Sequence, residues 1–540
     1  MRKLLLAFAL CAAIPMQAQV NLTQSHLPIF SINTSNVDIP DEPKITANLK
    51  VYWNALGAIN KLSDSFSIHY KGKIGIERRG NSSQTNSEKK PFSVELRDSL
   101  GNDLEFPLLG LPKHSDWVLV APYADKTLVR DALVYQLAGS MMAWAPRNRY
   151  CEVIINGKYE GIYLLTERVK RDKNRVNISK ADTVNMSGDA HTGGYIIQCN
   201  RPDGTDSSVL YGYRSTFENL PNKKTFYEYI YPKYEVIKPA QRTYINGVIN
   251  DFEVLMNTNQ YADPVNGYSK LIDVPTFVDF FITQEMGHNV DAYRVSSYLF
   301  KDKNSINPKL RMGPVWDFNT SMGNIDYCNG KDIQGWSIDF NSICPTHNYM
   351  VPFWWKKLWA DKEFKRQVRA RWQTLRNNEL SITKVNRIID SMTTRLGDAT
   401  SRNFQRFPIL GKYVWPNPYY GNTHAEDVAY LKKWIADRFK WLDGEMALLP
   451  TGVDASLVQN ITVYPNPSVS TFNFDVFMKR NGLLKIMIYN QLGQVVETIE
   501  KRIEAHNTPI VWQNNAPKGF YSYNIFFNDQ LLMNGKLVKN

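Results

Sequence analysis

A change of hydrophobic pattern near residue 240 constrains the fold more than any other feature of the chain. From residue 20 to about 235, short apolar runs alternate with turn residues, which is typical of β-strands. From about 240 to 448, apolar residues recur at helical spacing, and strand-like runs return over 458–540. Because 540 residues exceed what a single core supports, we expect an α+β protein of more than one domain.

Short sequence patterns predict the first strands and the first helix of the chain. Strand-like runs occur at 74–77, 92–96, 117–120, 151–155 and 161–165. Asn156 and Gly157 separate the last two runs, and this dipeptide is typical of a two-residue hairpin turn. The spacing of Leu128, Ala132 and Tyr135 predicts one helix in this part, over 127–137.

Later elements are predicted in the same way. Asp273 is predicted to cap an apolar helix over 275–286, and a second amphipathic helix covers 363–376. A capping box at Thr423 and Glu426 starts a third helix. Residues 449–457 are typical of a linker, and the remainder predicts a small β-sandwich of about seven strands.

Two acidic loops flank a predicted hairpin. The helix over 275–286 is followed by a loop with Asp291, strands at 295–300 and 310–313, and then Asp317. Because a hairpin brings its two ends together, we expect the two aspartates to lie within reach of each other. Divalent-metal phosphoryl transfer needs one carboxylate for the nucleophile and one for the metal. A capping or turn role is the structural alternative.

Protein kinases present their catalytic and metal-binding aspartates on the same order of elements. The motifs that usually surround these aspartates are altered in this chain. No His-Arg-Asp sequence precedes Asp291, and Ser296 stands where the catalytic-loop asparagine would be. Asn319 replaces the glycine that normally follows the Asp-Phe pair, and no GxGxxG loop occurs. The pattern therefore predicts at most a divergent kinase.

The net charge limits the classes of partner, and the cysteines limit the possible disulfides. The formal net charge is +12 and dispersed, without a basic arm, so we expect no nucleic-acid partner. The cysteines after the N-terminal segment are Cys151, Cys199, Cys328 and Cys344. In an oxidising compartment they permit two disulfides, including a short Cys328–Cys344 loop, and buried free thiols are the alternative.

The N-terminal segment predicts export. Arg2 and Lys3 precede an apolar run over 4–14, and 17–19 is a suitable cleavage region, so residues 1–19 are predicted to be a signal peptide. The apolar run is too short to span a bilayer, and no other segment is long and apolar enough. We expect an exported chain without a transmembrane segment.

Several further motifs, each weak alone, form one specific set. They are Ile76-Glu-Arg-Arg-Gly-Asn-Ser-Ser83, Lys89-Lys-Pro-Phe-Ser-Val-Glu95, Leu108-Leu-Gly-Leu-Pro112, the 116–130 segment, the 156–167 segment, Gly193-Gly-Tyr-Ile-Ile197, Asn289-Val-Asp-Ala-Tyr-Arg294 and the Trp316 segment. Residues 20–448 thereby resemble the spore-coat-protein-H-like (CotH) family of atypical secreted kinases. The resemblance implies a divergent two-lobed kinase-like fold, β-rich then helical, that binds ATP with Mg²⁺ or Mn²⁺ and phosphorylates serine of protein substrates.

Roles for individual residues follow from the resemblance. Asp291 matches the family's catalytic acid and Asp317 its metal ligand. Asn289 and Asn319 are adjacent oxygen donors suited to Mg²⁺, although such asparagines commonly satisfy turn backbone instead.

The nucleotide-contacting residues are harder to assign. Lys90 could reach the phosphates or be a solvated strand end. Arg130 could bind phosphate or pair with Asp125. Glu167 could contact adenine or serve as a hinge or packing residue, and Arg79 beside Gly80 could form an anion nest.

The last part of the chain carries its own motifs. They are Val463-Tyr-Pro-Asn-Pro-Ser468, Tyr489-Asn-Gln-Leu-Gly-Gln-Val-Val496, Lys518-Gly-Phe-Tyr-Ser-Tyr523 and Lys536-Leu-Val-Lys539. Residues 458–540 resemble the type IX secretion C-terminal sorting domain of Bacteroidota, an ordinary Ig-like adhesion module being the alternative. The resemblance implies the type IX machinery as a partner and secretion, or attachment to the outer-membrane surface.

Three functions are thus compatible with the sequence. The first is a secreted ATP- and metal-dependent protein kinase. The second is a kinase-like surface or adhesion protein without catalysis. The third is a carbohydrate-active protein, suggested by the 13 Trp and 29 Tyr residues and by paired carboxylates.

Overall fold

The computed structural model describes residues 20–55, 57–182, 184–202, 211–450, 458–478, 481–504, 507–513, 516–528 and 530–540. The predicted signal peptide and residues 451–457 of the predicted linker lie outside these ranges. The chain has a mixed α/β fold in which strands dominate up to Tyr231, helices dominate from Pro239 to Ala447, and the C-terminal part is again β-rich. These three regions follow the pattern change seen in the sequence.

Two compact units can be distinguished. The first contains residues up to Ala132, Arg147–Arg168 and Ile388–Ala429. The second contains Leu133–Pro146, Val169–Arg387 and Tyr430–Asn540. The residues that the sequence nominates for catalysis and for metal binding all lie in the second unit, and those nominated for nucleotide contact lie in the first.

A closed β-barrel forms the core of the first unit. The strands of this part are β1 (Gln24–Ser25), β2 (Ile29–Asn33), β3 (Ile45–Tyr52), β4 (Asn60–Lys61), β5 (Ile68–Arg78), β6 (Phe92–Arg97), β7 (Asp116–Val120), β8 (Asn148–Ile155) and β9 (Lys158–Glu167). The barrel runs β2-β3-β5-β6-β7-β9-β8 and closes by parallel pairing of β2 with β8. Apolar side chains such as Phe30, Ile74 and Trp117 fill its core. Closure leaves no unpaired sheet edge.

Turns and caps explain the local geometry of this unit. Ile155 pairs with Lys158, so Asn156 and Gly157 form the predicted two-residue turn, and both adopt positive φ (48° and 78°). The first helices are α1 (Ser82–Thr85) and α2 (Arg130–Ala138). The carboxylate of Asp125 accepts a hydrogen bond from the Arg130 backbone N–H (2.9 Å), which fixes the start of α2.

A buried lysine, Lys89, connects β9 to a helix of the same unit. Its ammonium donates hydrogen bonds to the carbonyl of Ile162 and to Oδ1 of Asn403 (2.9 Å). The rings of Tyr163 and Phe407 lie 5.0 and 5.5 Å from it. Burial lowers the pKa of Lys89 to about 7, against smaller effects of Cys151 and Glu160, which raise it. The amine therefore changes charge near neutral pH.

Replacing Lys89 by methionine should make the stability less dependent on pH. In the folded chain the Lys89 pKa is about 7, below the usual 10.5, so the unfolded chain binds more protons between these values. The free energy of unfolding should therefore rise with pH in this window by up to about 1.4 kcal/mol per pH unit, a contribution that the variant lacks. Urea unfolding at pH 6 and pH 9 measures this.

We expect Lys89→Met to be clearly less stable than the parent at pH 9, with a smaller or reversed difference at pH 6. Lys90→Met is the matched control, because Lys90 is only half-buried. An equal destabilisation by Lys89→Met at both pH values would contradict the assignment of a buried, titrating amine.

The second unit contains one antiparallel sheet. Its strands are β10 (Tyr195–Asn200), β11 (Gly212–Leu220), β12 (Lys223–Tyr231), β13 (Ser297–Lys301) and β14 (Arg311–Met312), in the order β11-β12-β10-β13-β14. Leu299 pairs with Met312 and Phe300 with Arg311. The predicted hairpin between the two acidic loops is therefore confirmed, with strands shorter than predicted.

Helices make up most of the remaining part before residue 450. They are α3 (Pro239–Met256), α4 (Val274–Gly287), α5 (Phe340–Ile343), α6 (Phe353–Ala360), α7 (Lys362–Asn377), α8 (Ile382–Leu396), α9 (Ala399–Arg406) and α10 (His424–Ala447). Helices α4, α7 and α10 correspond to the three predicted ones. Asp273 precedes α4 as expected, but its side chain makes no capping hydrogen bond. Among the described residues, no helix has the length and apolarity to cross a membrane.

Two sheets form the C-terminal β-module, as predicted. Its strands are β15 (Val458–Tyr464), β16 (Thr471–Met478), β17 (Gly482–Tyr489), β18 (Val495–Ile503), β19 (Asn507–Gln513), β20 (Gly519–Phe527) and β21 (Gln530–Lys539). They form a three-stranded sheet, β15-β16-β19, and a four-stranded sheet, β18-β17-β20-β21. Buried residues such as Phe474, Ile486 and Trp512 belong to one apolar cluster.

Candidate functional site

Two acidic loops leave the same end of the β13–β14 hairpin. We call residues 288–296 the Asp291 loop and residues 313–324 the Asp317 loop. Because β13 and β14 are antiparallel, the start of β13 and the end of β14 lie at one end of the pair. The backbone N–H of Gly313 donates to the carbonyl of Tyr298 (2.8 Å) and extends the pairing toward that end. The topology thus places the Asp291 loop and the Asp317 loop at the same end of the β13–β14 hairpin.

A hydrogen bond fastens the Asp317 loop to the helix from which the Asp291 loop emerges. The N–H of Met322 donates to the carbonyl of Gly287 (2.7 Å), the last residue of α4. A Cβ on Gly287 would lie 3.5 Å from the ring of Phe318 and from Cβ of Ser321. His288 then ends the helix in a left-handed conformation (φ 42°). The two loops are therefore anchored at a common point.

A buried arginine holds Asp291. Nη2 of Arg294 lies 2.6 Å from Oδ1 of Asp291, and the Arg294 side chain is 1% exposed whereas that of Asp291 is 29% exposed. Nε of Arg294 donates to the carbonyl of Val290 (2.9 Å), and its guanidinium lies 4.0 Å from the ring centroid of Phe340. These contacts orient a carboxylate that remains accessible to solvent.

Further charged groups surround this ion pair. Burial raises the pKa of the Tyr327 phenol, and the charge of Asp291 raises it further, whereas Arg294 and Arg201 lower it. Arg201 directly follows β10, and Cys199 of β10 pairs with Ser297 at the start of β13. The Tyr327 phenol is thus close enough to Asp291, Arg294 and Arg201 to interact with the charge of each.

Asp317 occupies an unusual backbone conformation. Its φ is +66°, in the left-handed region that non-glycine residues rarely adopt. The backbone N–H of Asp317 donates to Oη of Tyr135 (3.1 Å), and the Tyr135 ring stacks on Trp316 at a centroid distance of 5.9 Å. These contacts help to hold Asp317 in this conformation, which aspartate tolerates better than most non-glycine residues.

The two asparagines proposed as metal ligands, Asn289 and Asn319, differ in burial. Asn289 is buried, and its Oδ1 accepts from the Asp291 N–H (3.1 Å) while its Nδ2 donates to Gln284 (3.0 Å). This is the turn-supporting role that the sequence left as an alternative. Asn319 is half-buried, like Asp317. No group of three His, Cys, Asp or Glu side chains suited to a metal occurs in the described part of the chain.

A metal at Asp317 would therefore have few protein ligands. One carboxylate with an amide oxygen from Asn319 suits Mg²⁺, which usually keeps several waters and binds through one or two carboxylates and substrate phosphates. Asn289 suits it less, because its oxygen already accepts a backbone hydrogen bond.

In the first unit, two of the candidates for nucleotide contact, Arg130 and Glu167, are buried and form ion pairs. Arg130 pairs with Asp125 (2.5 Å), and both side chains are nearly inaccessible. Glu167 is fully buried and receives Nη2 of Arg147 at Oε1 (2.8 Å) and Nε at Oε2 (2.8 Å). Arg130 thus forms the ion pair with Asp125, and Glu167 has the packing role, that the sequence left open as structural alternatives.

The other two candidates for nucleotide contact, Lys90 and Arg79, donate hydrogen bonds to nearby backbone carbonyls. The ammonium of Lys90 donates to the carbonyls of Gln84 (2.6 Å) and Ser87. Arg79 is half-buried, and its backbone N–H donates to the carbonyl of Pro91 (3.1 Å). Nucleotide contact by any of the four residues stays a prediction.

Sequence reasoning missed Arg294, Tyr327, Arg201 and the buried Lys89. Only Arg294 had a usable signal, since it follows Asp291 by three residues in the Asn289–Arg294 motif. The others come close to their partners through long-range contacts.

The Cys328–Cys344 disulfide is present, with a Cα–Cα distance of 5.7 Å. Cys151 and Cys199 are free and buried. The sequence permitted both states, and each occurs for one pair of cysteines.

Comparison with known proteins finds two family matches in this chain. The family described as CotH kinase protein matches residues 76–442, and the secretion system C-terminal sorting domain matches residues 462–540. Among curated proteins, the ulvan lyase NLR42 of Nonlabens ulvanivorans is 26% identical over 131 residues. That match covers 24% of this chain and 22% of the lyase, so the chain spans less than a quarter of that relative's length.

The C-terminal β-module is thereby a sorting domain of the type IX secretion system, which directs export to the cell surface. The first match covers more than half of the 540 residues and includes both acidic loops. The chain therefore belongs to the CotH kinase protein family and is exported by means of its C-terminal sorting domain.

Proposed function

We propose that this protein is a secreted atypical protein kinase that transfers the γ-phosphate of ATP to serine of exported or surface proteins. Mg²⁺ or Mn²⁺ would be the required metal. The observation that supports this best is the pair of aspartates on two loops at one end of the β13–β14 hairpin, anchored together at Gly287. We propose on the same grounds that residues 20–448 form a divergent, two-lobed kinase-like domain.

Asp291 is the proposed catalytic residue. Its partly exposed carboxylate accepts the proton of the serine hydroxyl while the serine Oγ–phosphorus bond forms and the bond from phosphorus to the ADP oxygen breaks. Arg294 holds one carboxylate oxygen of Asp291, and this ion pair also sets the orientation of the other oxygen. Arg201 adds positive charge near the region where a phosphate would approach.

Asp317, with Asn319, is the proposed metal site. The metal, when bound, would neutralise phosphate charge. The left-handed backbone at Asp317 supports a functional role, because strained residues that packing holds in place concentrate at functional sites. Asn289 supports the turn that carries Asp291.

A kinase-like surface protein without catalysis is the second candidate. The ion pairs of Arg130 and Glu167 favour it, since both residues are already neutralised by protein partners. The third candidate, a carbohydrate-active protein, draws on the name of the ulvan lyase, but that match covers too little of either chain to carry an activity.

Mg²⁺–ATP binding tests the metal site on which the first candidate depends. We expect Asp317→Ala to weaken Mg²⁺–ATP affinity in calorimetry at least tenfold, since a metal-ligating carboxylate is lost. Asp437→Ala is the matched control, because the Asp437 side chain on α10 is 38% exposed and pairs only with Lys433 among the described contacts. Equal affinity of the parent and Asp317→Ala, or no binding by the parent, would refute the metal role.

A further inference from the structure

The Cys328–Cys344 disulfide joins two segments that both contact the Asp291 loop. The first segment is 325–332 and the second is 340–349. Both cysteines are half-buried, and Pro345 and Thr346 beside the second are exposed, so the disulfide lies next to solvent-exposed chain.

The first segment contacts the start of the loop. Nδ1 of His288 lies 2.7 Å from the carbonyl oxygen of Asp332. A Cβ placed on Gly330 would lie only 2.4 Å from Cγ2 of Val290 and 1.9 Å from Cγ2 of Ile325. The backbone at 330 therefore packs directly against the residue that precedes Asp291, with no room for a side chain.

The second segment contacts the end of the loop through Arg294. Nη1 of Arg294 lies 3.4 Å from both the carbonyl oxygen of Tyr349 and Nδ1 of His347. The Phe340 ring lies against the same guanidinium at 4.0 Å. Cys344 is hydrogen-bonded to both flanks of this segment, by its N–H to Phe340 (2.8 Å) and by its carbonyl to His347 (3.1 Å).

The backbone beside Cys328 is strained. Cys328 and Asn329 are consecutive non-glycine residues with positive φ, 50° and 60°. The left-handed conformation costs about 1–2 kcal/mol at Cys328, whereas asparagine adopts it at little cost, so a chain free to relax at Cys328 would leave this conformation. Tyr327, whose phenol is close enough to feel the charge of Asp291, is the adjacent residue.

We propose that the Cys328–Cys344 disulfide is a redox-dependent positioning element for the Asp291 loop. The oxidised chain holds the loop between two cross-linked segments, and reduction releases it. Formation removes two electrons and two protons from the thiols, and a disulfide such as oxidised glutathione accepts them and becomes two thiols. Since thiols stay reduced in the cytoplasm, the site would be completed only after export.

Hydrogen exchange tests this without reference to activity. The full mature chain would be held in glutathione buffers from oxidising to reducing, with alkylation and mass spectrometry to measure the state of each cysteine. We expect amides of residues 288–296 to exchange at least tenfold faster once Cys328 and Cys344 are reduced. Cys328→Ser/Cys344→Ser should exchange at the fast rate in every buffer, and Cys151→Ser should respond like the parent.

Phosphate transfer supplies the second readout, and it alone rests on the proposed kinase function. Transfer should fall at least tenfold at the same glutathione ratio, because a displacement near 1 Å can cost about 100-fold in rate. Unchanged exchange after confirmed reduction, or faster exchange with full transfer, would overturn the proposal. Faster exchange in a chain that never transfers phosphate would support the positioning role and refute the kinase function.

Discussion

Asp291→Asn is expected to lower kcat/KM for phosphate transfer to serine at least ~100-fold, the usual range for loss of a general base being ~10²–10⁴. Asparagine has the same shape and can still accept the Arg294 hydrogen bond, so the loop should keep its conformation. The amide cannot take the serine proton. Steady-state kinetics with ATP and a serine-containing protein such as casein measure the loss.

The same variant should bind Mg²⁺–ATP almost as well as the parent, because the metal is assigned to Asp317. Asp437→Asn, on the exposed face of α10, is the matched control and should keep full activity. An Asp291→Asn protein with parental kcat/KM would remove Asp291 from the mechanism.

Arg438→Ala is expected to lower the free energy of unfolding by about 3–5 kcal/mol, the typical cost of breaking a buried ion pair. Arg438 is fully buried and donates to the Glu285 carbonyl from Nε (3.0 Å) and Nη2 (2.8 Å). Its Nη1 donates to the carbonyls of Ile333 and Gly335. Alanine would remove these donors and leave the buried Glu285 carboxylate without its cation.

Urea unfolding followed by tryptophan fluorescence measures this effect. Lys433→Ala, which breaks the exposed pair with Asp437, is the matched control and should change stability by less than about 1 kcal/mol. Equal effects of the two substitutions would contradict the account. Since Glu285 lies two residues before Gly287, we also expect Arg438→Ala to loosen the anchor of both acidic loops.

Local structure was predictable from the sequence. The Asn156–Gly157 turn, the hairpin between the acidic loops and helix α2, which begins three residues later than predicted, depend on neighbouring residues, whose conformational preferences are strong. The β-module followed from alternating apolar residues for the same reason.

Long-range features were not predictable. The barrel closes by pairing β2 with β8, strands separated by more than a hundred residues, and no local pattern specifies such a pairing. Lys89 and Lys90 look equivalent in sequence, yet only Lys89 is buried, because its partner Asn403 arrives from α9. Tyr327 likewise comes close to Asp291, and Arg201 to Tyr327, only through tertiary structure.

The asparagines illustrate a second limit. Asn289 and Asn319 are both adjacent to an aspartate and offer the same oxygen donor. Only the fold shows that the Asn289 oxygen accepts the Asp291 N–H. A residue type can thus suggest a ligand, but the hydrogen-bond partners decide whether that oxygen is available.

Metal-dependent transfer of the ATP γ-phosphate to serine is the most direct test of the central claim. The full mature, oxidised chain would be incubated with γ-labelled ATP and casein, in Mg²⁺ or in EDTA, beside Asp291→Asn and Asp317→Ala. We predict labelled phosphoserine only for the parent with Mg²⁺, and ADP formed in equal amount. No label in the parent, or equal label in the parent and both variants, would contradict a kinase site built from these two aspartates.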